Sequence, residues 1–164
     1  MKFFPTLGAE RARELLYLNP ETGILTWRVS RGRALAGTVA GGPNSEGYIK
    51  VEVEGKRYLA HRLAWLITHG SWPNNQIDHI NGVRTDNRVA NLRDVSRAVN
   101  AQNQRHARSD NSTGILGVSP ERGRFRAAIQ VGGRQRHLGY YPTADAAGAA
   151  YLLAKRDLHA GCTV

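Results

Sequence analysis

The pattern that most constrains the fold of this chain lies near its carboxyl end, where two extended segments flank a pair of glycines. In residues 124–131 every second side chain is apolar, an alternation that predicts a strand with one buried face. Gly132-Gly133 follows at once and suits the two-residue turn of a β-hairpin, because both positions of that turn favour positive φ. Residues 134–140 are therefore predicted to form the returning strand.

One further strand and a helix complete this segment. The apolar residues 115–118 predict a short strand before the hairpin. Thr143 is a favourable helix N-cap, and Asp145 suits the first turn of the helix that follows. Several alanines share one face of that helix and let it lie close to a sheet. We therefore predict a three-stranded sheet plus a helix within residues 110–164.

The N-terminal part of the chain, residues 1–75, combines short helical and strand patterns. Turns rich in glycine and proline separate these patterns, and Gly70 with Pro73 ends the second helix. The predicted helices cover residues 11–17 and 61–69, and the predicted strands cover residues 24–29, 47–53 and 57–59.

The middle of the chain, residues 76–109, is short and polar. Residues 76–80 and 92–95 predict two strands, with a turn at Asn81-Gly82. Ser96 can cap a helix that runs to about residue 106. The fold class is therefore predicted as α+β, with three domains: a mixed α/β region over 1–75, a strand–strand–helix motif over 76–109, and the sheet plus helix over 110–164.

Arginine dominates the charge of the chain. Lysine plus arginine number 23 against 13 acidic residues, which gives a formal net charge of +10, and 19 of the basic residues are arginines. Guanidinium groups suit contacts with phosphates and guanine edges, so nucleic acid is the first partner to consider and an anionic membrane surface the second. The net charge is +4, +3 and +3 over the three predicted domains, which favours a continuous basic surface over a charged tail.

Several classes of protein are excluded by composition. No run of about 18 apolar residues occurs, so no transmembrane helix is expected. Residues 1–13 lack a hydrophobic leader, so we expect a cytoplasmic, intracellular protein without a membrane partner. Cys162 is the single cysteine, which excludes a disulfide framework and a cysteine-rich zinc site. A metal site would then use His, Asp, Glu or Asn as ligands, which suit a hard ion such as Mg²⁺ or Mn²⁺.

Asp78 and His79 are candidates for catalysis because they are adjacent on a predicted strand. Their side chains then point to opposite faces, so one can hold a metal while the other faces substrate. Asn100, on the following helix, offers a neutral oxygen ligand, and a carboxylate plus an amide leaves room on Mg²⁺ for water and phosphate. An isolated Asp-His pair is usually incidental, so this hypothesis depends on the ordered residues around it. The other histidines, His61 among them, lack such a context and are expected to be surface or core-edge residues.

The ordered residues are Asp78-His79-Ile80-Asn81-Gly82, Asn91-Leu92-Arg93 and Asn100. They resemble the motif of the His-Asn-His (HNH) endonuclease family. The resemblance implies a ββα-metal nuclease core with one Mg²⁺ or Mn²⁺ ion. It implies catalytic roles for His79, as general base, and for Asn91, which pins the loop between the strands, and it makes Asp78 and Asn100 the metal ligands. The family's third letter is often His and here is Asn, as in the His-Asn-Asn variant of homing and phage endonucleases.

Residues 110–164 resemble the ethylene-response-factor (APETALA-type) DNA-binding domain. The resemblance is carried by residues 114–118, 124–127, 137–141, 143–147 and 150–151. It implies that the three-stranded sheet lies in the major groove of duplex DNA and that the helix braces its back. Four arginines project from the neighbouring strands and are expected to form one DNA-binding face: Arg124, Arg126, Arg134 and Arg136. The alternative is a charged sheet face that contacts only solvent.

Together these observations predict a metal-dependent endonuclease, of homing or phage origin, that hydrolyses phosphodiester bonds in duplex DNA. A single active site with no evident dimerisation helix favours a monomer, which would act in the host cell if phage-encoded. Two alternatives remain: a sequence-specific DNA-binding protein with a catalytically silent nuclease fold, and a basic RNA-binding protein. The intact motif argues against the silent fold, and plasmid nicking with Mg²⁺ against EDTA distinguishes the hypotheses.

Overall fold

The structure is a computed structural model that describes residues 7–163. The chain forms two compact units, Met1–Ser96 and Arg97–Val164. Residues 1–6 and 164 lie outside the described part. The predicted lack of a leader over residues 1–13 and the predicted domains 1–75 and 110–164 therefore fall partly outside it.

The first unit contains two helices and three small antiparallel sheets within its described residues. β1 pairs with β2, β4 lies between β3 and β5, and β6 pairs with β7. The helices are α1 (Ala9–Leu15) and α2 (Ala60–His69), and the strands are β1 (Leu16–Leu18), β2 (Leu25–Trp27), β3 (Gly42–Pro43), β4 (Ile49–Val53), β5 (Lys56–Leu59), β6 (Gln76–His79) and β7 (Leu92–Val95). A single 3-10 turn, Val89–Asn91, leads into β7.

Helix α2 contributes to two apolar clusters of this unit. Leu63 and Leu66 lie in the larger cluster, together with residues of α1, β1, β2 and β4. Ala64 lies in a smaller cluster with Ile77 of β6 and Leu92 of β7. Burial of each such leucine stabilises the fold by about 1.5–3 kcal/mol. The helix therefore joins the β6–β7 ribbon to the main core.

Gly70 ends α2 as the sequence predicts. It adopts a left-handed conformation with φ of 78°, and its N–H donates to the Leu66 carbonyl at 2.9 Å. This is the glycine C-cap, which satisfies one carbonyl that the helix leaves unpaired.

The second unit is a three-stranded antiparallel sheet covered by one long helix, preceded by a short helix. The sheet order is β10-β9-β8. The elements are α3 (Arg97–Gln102), β8 (Val118–Glu121), β9 (Arg124–Val131), β10 (Arg134–Tyr141) and α4 (Ala144–Leu158). Ala147 of α4 packs with Val118 and Ala127 of the sheet. No helix within residues 7–163 is long and apolar enough to cross a membrane.

Thr143 caps α4 as predicted. Its side-chain oxygen accepts a hydrogen bond from the Ala146 N–H at 3.2 Å. Such a bond satisfies one of the amide groups that a helix N-terminus leaves unpaired.

The strand predicted at residues 115–118 is wrong in position, because β8 begins only at Val118. The preceding residues form a turn, in which the Asn111 amide donates to the carbonyls of Ile115 and Val118. Gly117 adopts φ of +74°, and a Cβ there would lie 2.7 Å from Cγ of Tyr151 and closer to two other ring carbons. The turn therefore brings the backbone against the Tyr151 ring, a contact that only glycine permits.

The helix predicted to run from the Ser96 cap to about residue 106 is shorter, since α3 ends at Gln102. Its last turn tightens to bonds of the 3-10 type, from the Asn103 N–H to the Asn100 carbonyl at 3.0 Å and from the Gln104 N–H to the Ala101 carbonyl at 3.3 Å. At the end of the helix the Gln102 side chain makes a tertiary contact, since it accepts a hydrogen bond from the Gly161 N–H at 3.0 Å.

Candidate active site

The β6–β7 ribbon carries Asp78 and His79 at the end of β6. The register pairs Asp78 with Arg93 and His79 with Leu92. The side chains of these adjacent residues project from opposite faces of the strand, as in any extended segment. Both residues are buried, with 7% and 5% of their surface exposed.

The Asp78 carboxylate forms an ion pair with its cross-strand partner Arg93. The Nε and Nη2 atoms of Arg93 lie 2.8 Å and 2.7 Å from Oδ2 of Asp78. Because the pair is mostly removed from solvent, this contact holds the carboxylate in one orientation. A cation bound by Asp78 would share that carboxylate with the guanidinium group.

His79 lies in a cluster of polar and aromatic side chains from three parts of the first unit. Its Nε2 atom is 3.2 Å from Oδ1 of Asn87, which follows the turn after β6. Its ring meets that of His61 almost perpendicularly, at 88° and 5.0 Å between centroids, and that of Tyr48 at 6.0 Å. Arg84 lies over the Tyr48 ring at 5.0 Å.

Burial lowers the pKa of His79, against the opposing effects of the hydrogen bond to Asn87 and of the nearby carboxylates Asp78 and Asp86. Removal from water disfavours the charged imidazolium, so the ring is neutral near neutral pH. A neutral imidazole has one nitrogen lone pair with which it can accept a proton.

His61 is a component of this cluster that the sequence did not indicate. It lies in the first turn of α2 and is buried. Burial lowers its pKa to about 3, and the neighbouring His79 acts in the same direction. The expectation that His61 is a surface or core-edge residue allowed for its burial. The sequence pattern could not indicate its contact with His79, because the two residues lie on different elements and are 18 positions apart.

The buried Asn91 side chain connects both ends of the loop between β6 and β7. Its oxygen accepts from the Asn81 N–H at 2.9 Å. Its amide nitrogen donates to the Asn81 side-chain oxygen at 3.0 Å and to the Asp86 carbonyl at 2.8 Å. One side chain thus satisfies several backbone and side-chain groups of the loop, which fixes its shape.

The Asp86 side chain extends this network to Asn81 and Arg88. Its carboxylate accepts hydrogen bonds from Arg88 Nη2 at 2.6 Å and from Asn81 Nδ2 at 2.7 Å. The bonds from Arg88 are the main cause that lowers the pKa of Asp86 to about 2. The residues on both sides of Asn87 are therefore tied together.

Asn100 lies in α3 and belongs to the second unit, whereas Asp78, His79 and Asn91 belong to the first. Its side chain is half-buried. Among residues 7–163 no three or more His, Cys, Asp or Glu side chains are grouped so that they could hold a metal. The donors predicted from the sequence are one carboxylate and one amide, a chemistry that fits a hard ion with water and phosphate as its other ligands.

The register of the C-terminal sheet assigns two of the four predicted arginines to the side covered by α4. Arg134 pairs with Val131, and Arg136 pairs with Ile129. Directly paired residues of antiparallel strands project to the same side of a sheet. Arg134 and Arg136 therefore lie on the side of the apolar residues of β9.

Arg124 and Arg126 lie on the opposite side, because they alternate with those apolar residues along β9. The prediction that all four arginines form one basic face is therefore wrong. We call the side turned away from α4 the open face, and its polar members are Ser119, Glu121, Arg124, Arg126, Gln130, Gln135, His137 and Tyr140.

The open face carries a linked set of hydrogen-bonding groups. Arg126 Nη2 donates to Gln135 Oε1 at 2.9 Å, and Tyr140 donates to Glu121 Oε1 at 3.0 Å. The rings of His137 and Tyr140 lie 4.8 Å apart. These groups offer both donors and acceptors, which a surface that contacts base edges and phosphates requires.

Comparison with known families supports a nuclease in one part of the chain. A family model described as HNH endonuclease matches residues 58–102, a span that runs from β5 through α2 and the β6–β7 ribbon to the end of α3. The order strand, strand, helix at the end of this span is consistent with a ββα-metal fold. Searches among curated proteins and among solved structures found no match. The resemblance of residues 110–164 to an ethylene-response-factor domain stays a prediction.

Acid should destabilise the chain in a way that depends on His61. The folded pKa of about 3 lies below the ordinary value of 6.5, so the unfolded chain binds more protons between these values. The stability contributed by the neutral His61 is full above that range and is lost as the pH falls through it. His61→Phe keeps a ring without a titrating group, so its unfolding free energy should fall less between neutral and acidic pH.

Urea unfolding at several pH values measures this difference. His69→Phe removes a histidine from an exposed position of the same helix and is the matched control, and its unfolding free energy should fall more than that of His61→Phe over the same pH change. Equal losses of stability in wild type and His61→Phe would contradict the prediction.

Proposed function

We propose that this protein is a metal-dependent DNA endonuclease of the HNH type, of homing or phage origin, that hydrolyses phosphodiester bonds in duplex DNA. The observation that carries the proposal is the HNH endonuclease match over residues 58–102, within which Asp78 and His79 lie together on one short ribbon. The net charge of +10 supports a nucleic acid as substrate.

His79 is proposed as the general base. It is buried and neutral, so it can take a proton from water near neutral pH, and its ring is held between Asn87 and His61. Asn91 contributes by fixing the loop that follows His79. It is a positioning residue, since its contacts are with the protein.

Asp78 and Asn100 are proposed to hold one Mg²⁺ or Mn²⁺ ion. Such an ion supplies charge stabilisation for phosphate oxygens when it is bound. Arg93 positions the Asp78 carboxylate through its two nitrogen contacts at Oδ2. Nothing in this arrangement requires a second copy of the chain, which supports a monomer.

The C-terminal unit is proposed as the DNA-binding part, with the open face as the contact surface. Its other side is covered by α4, so only the open face can approach a groove over the whole sheet. Arg124 and Arg126 lie there, and two- or three-stranded sheets fit the major groove. Arg134 and Arg136, near the hairpin turn on the other side, are proposed to contact at most the phosphate backbone.

Replacement of His79 should abolish cleavage and spare DNA binding. General acid–base catalysis contributes about 10²–10⁴ in rate, so His79→Ala should lower the rate of plasmid nicking by that factor. His106→Ala, at an exposed histidine outside the cluster, should cut as wild type does. Wild-type cutting by His79→Ala would refute the assignment, and absence of cutting by the wild type with Mg²⁺ would favour the silent DNA-binding alternative.

Metal dependence should change most when Asp78 is altered, because it is the one charged ligand proposed. Asp78→Asn should lower the cleavage rate and raise the Mg²⁺ concentration required, and Asn100→Ala should do so to a smaller extent. Asp94→Asn is the matched control, since Asp94 lies on the same ribbon but accepts from the Asn74 and Asn75 N–H groups. The proposal fails if Asp78→Asn and Asp94→Asn show the same Mg²⁺ titration.

Two double substitutions of equal charge can show which face of the C-terminal sheet contacts DNA. Arg124→Ala with Arg126→Ala removes two charges from the open face, and Arg134→Ala with Arg136→Ala removes two from the other side. The first pair should weaken binding more, by about 1–3 kcal/mol for each lost bidentate base contact. Each lost phosphate contact should instead make the slope of log affinity against log salt shallower by about 0.9. Equal effects of the two pairs would exclude a contact specific to the open face.

A further inference from the structure

We propose that Asn87 is a positioning residue that selects which nitrogen of His79 carries the ring proton. This inference rests on the proposed function for its consequence in catalysis, but it concerns a property of the protein that exists without DNA or metal. Asn87 is 3% exposed, and its Oδ1 atom faces the Nε2 atom of His79 at 3.2 Å.

The chemistry of the contact decides the tautomer. A neutral imidazole has one N–H, and a carbonyl oxygen can only accept a hydrogen bond. With Oδ1 of Asn87 as the partner, Nε2 of His79 must carry the hydrogen, and the lone pair then lies on Nδ1. A proton taken from water would therefore go to Nδ1, and the oxygen of Asn87 would stabilise the imidazolium that results.

The turn before β2 lies directly against the backbone of Asn87. The Asn19 side chain accepts from the N–H groups of Glu21 and Thr22, and the Gly23 N–H donates to the Asn19 carbonyl at 2.9 Å. Gly23 adopts φ of +71°, and a Cβ there would lie 2.9 Å from the Asn87 nitrogen.

A Cβ atom at Gly23 would lie closer still to the carbonyl carbon of Asn87 and to the nitrogen of Arg88. These are backbone atoms that cannot rotate away, so glycine is required both by conformation and by space. The site residues inside the 58–102 match thus depend on a turn that lies outside it.

The tautomer can be measured directly by ¹⁵N NMR of the histidine side chains of the full chain. Spectra at about pH 8, above the ordinary histidine pKa, report the neutral ring, and the His79 signals are identified by their loss in His79→Gln. We expect the Nε2–H tautomer in wild type and in Asn87→Asp, which keeps an acceptor oxygen. Asn87→Leu, of similar shape without an acceptor, should lose the preference.

The inference is overturned if wild-type His79 carries its hydrogen on Nδ1, or if a folded Asn87→Leu keeps the wild-type tautomer. Because the wild-type spectrum is decisive by itself, the test does not depend on the stability of a variant. Absence of DNA cleavage together with the expected tautomer would reject the proposed nuclease while the inference stands.

Cleavage kinetics give the consequence for the reaction. Asn87→Leu should lower kcat by about 10–100-fold with little change in KM, and Asn87→Asp should recover most of the loss. Gly23→Ala should lower kcat as well, whereas Gly55→Ala, at a positive φ of +76° with open space, is the control for backbone strain alone. Equal kcat in the two glycine variants would remove the Gly23 turn from the mechanism.

Discussion

The hydrogen bonds of one buried amide, that of Asn91, hold the loop on which the candidate site depends. The loop between β6 and β7 is long compared with the two-residue turn of a tight hairpin, and its ordering costs conformational entropy. Asn91 offsets this cost by connecting the Asn81 end of the loop to Asp86. Asn87 follows directly, so its contact with His79 is a consequence of the same network.

Much of the secondary structure could be predicted from local patterns. The bounds of β7 and β9 agree with the sequence prediction, and Thr143 and Gly70 act as the caps that their residue types favour. The errors occur where tertiary contacts override local pattern. Residues 115–117 form a turn instead of a strand because Gly117 contacts the Tyr151 ring, and the apolar pattern of the sequence does not show that contact.

The candidate site was predictable only in the part that one short motif contains. Asp78, His79 and Asn91 are close in sequence, and their order matches a motif that can be identified from the sequence. His61 and Gly23 lie outside that motif, and only the folding of the first unit brings them next to His79 and Asn87. The error about the arginine faces has a different origin. A two-residue turn makes its flanking residues pair directly, so Gly132-Gly133 already places Arg134 beside Val131.

The two apolar contacts of α2 bear on whether this motif can exist apart from its surroundings. β6 and β7 have four residues each, and an isolated two-stranded ribbon of that size is at best marginally stable in water. Here Ala64 of α2 covers the ribbon, while Leu63 and Leu66 bind the same helix to the main core. The β6–β7 ribbon therefore cannot be moved alone into another protein. Without α2 and the core that α2 packs on, the ribbon would lose the contacts that fix the positions of its side chains.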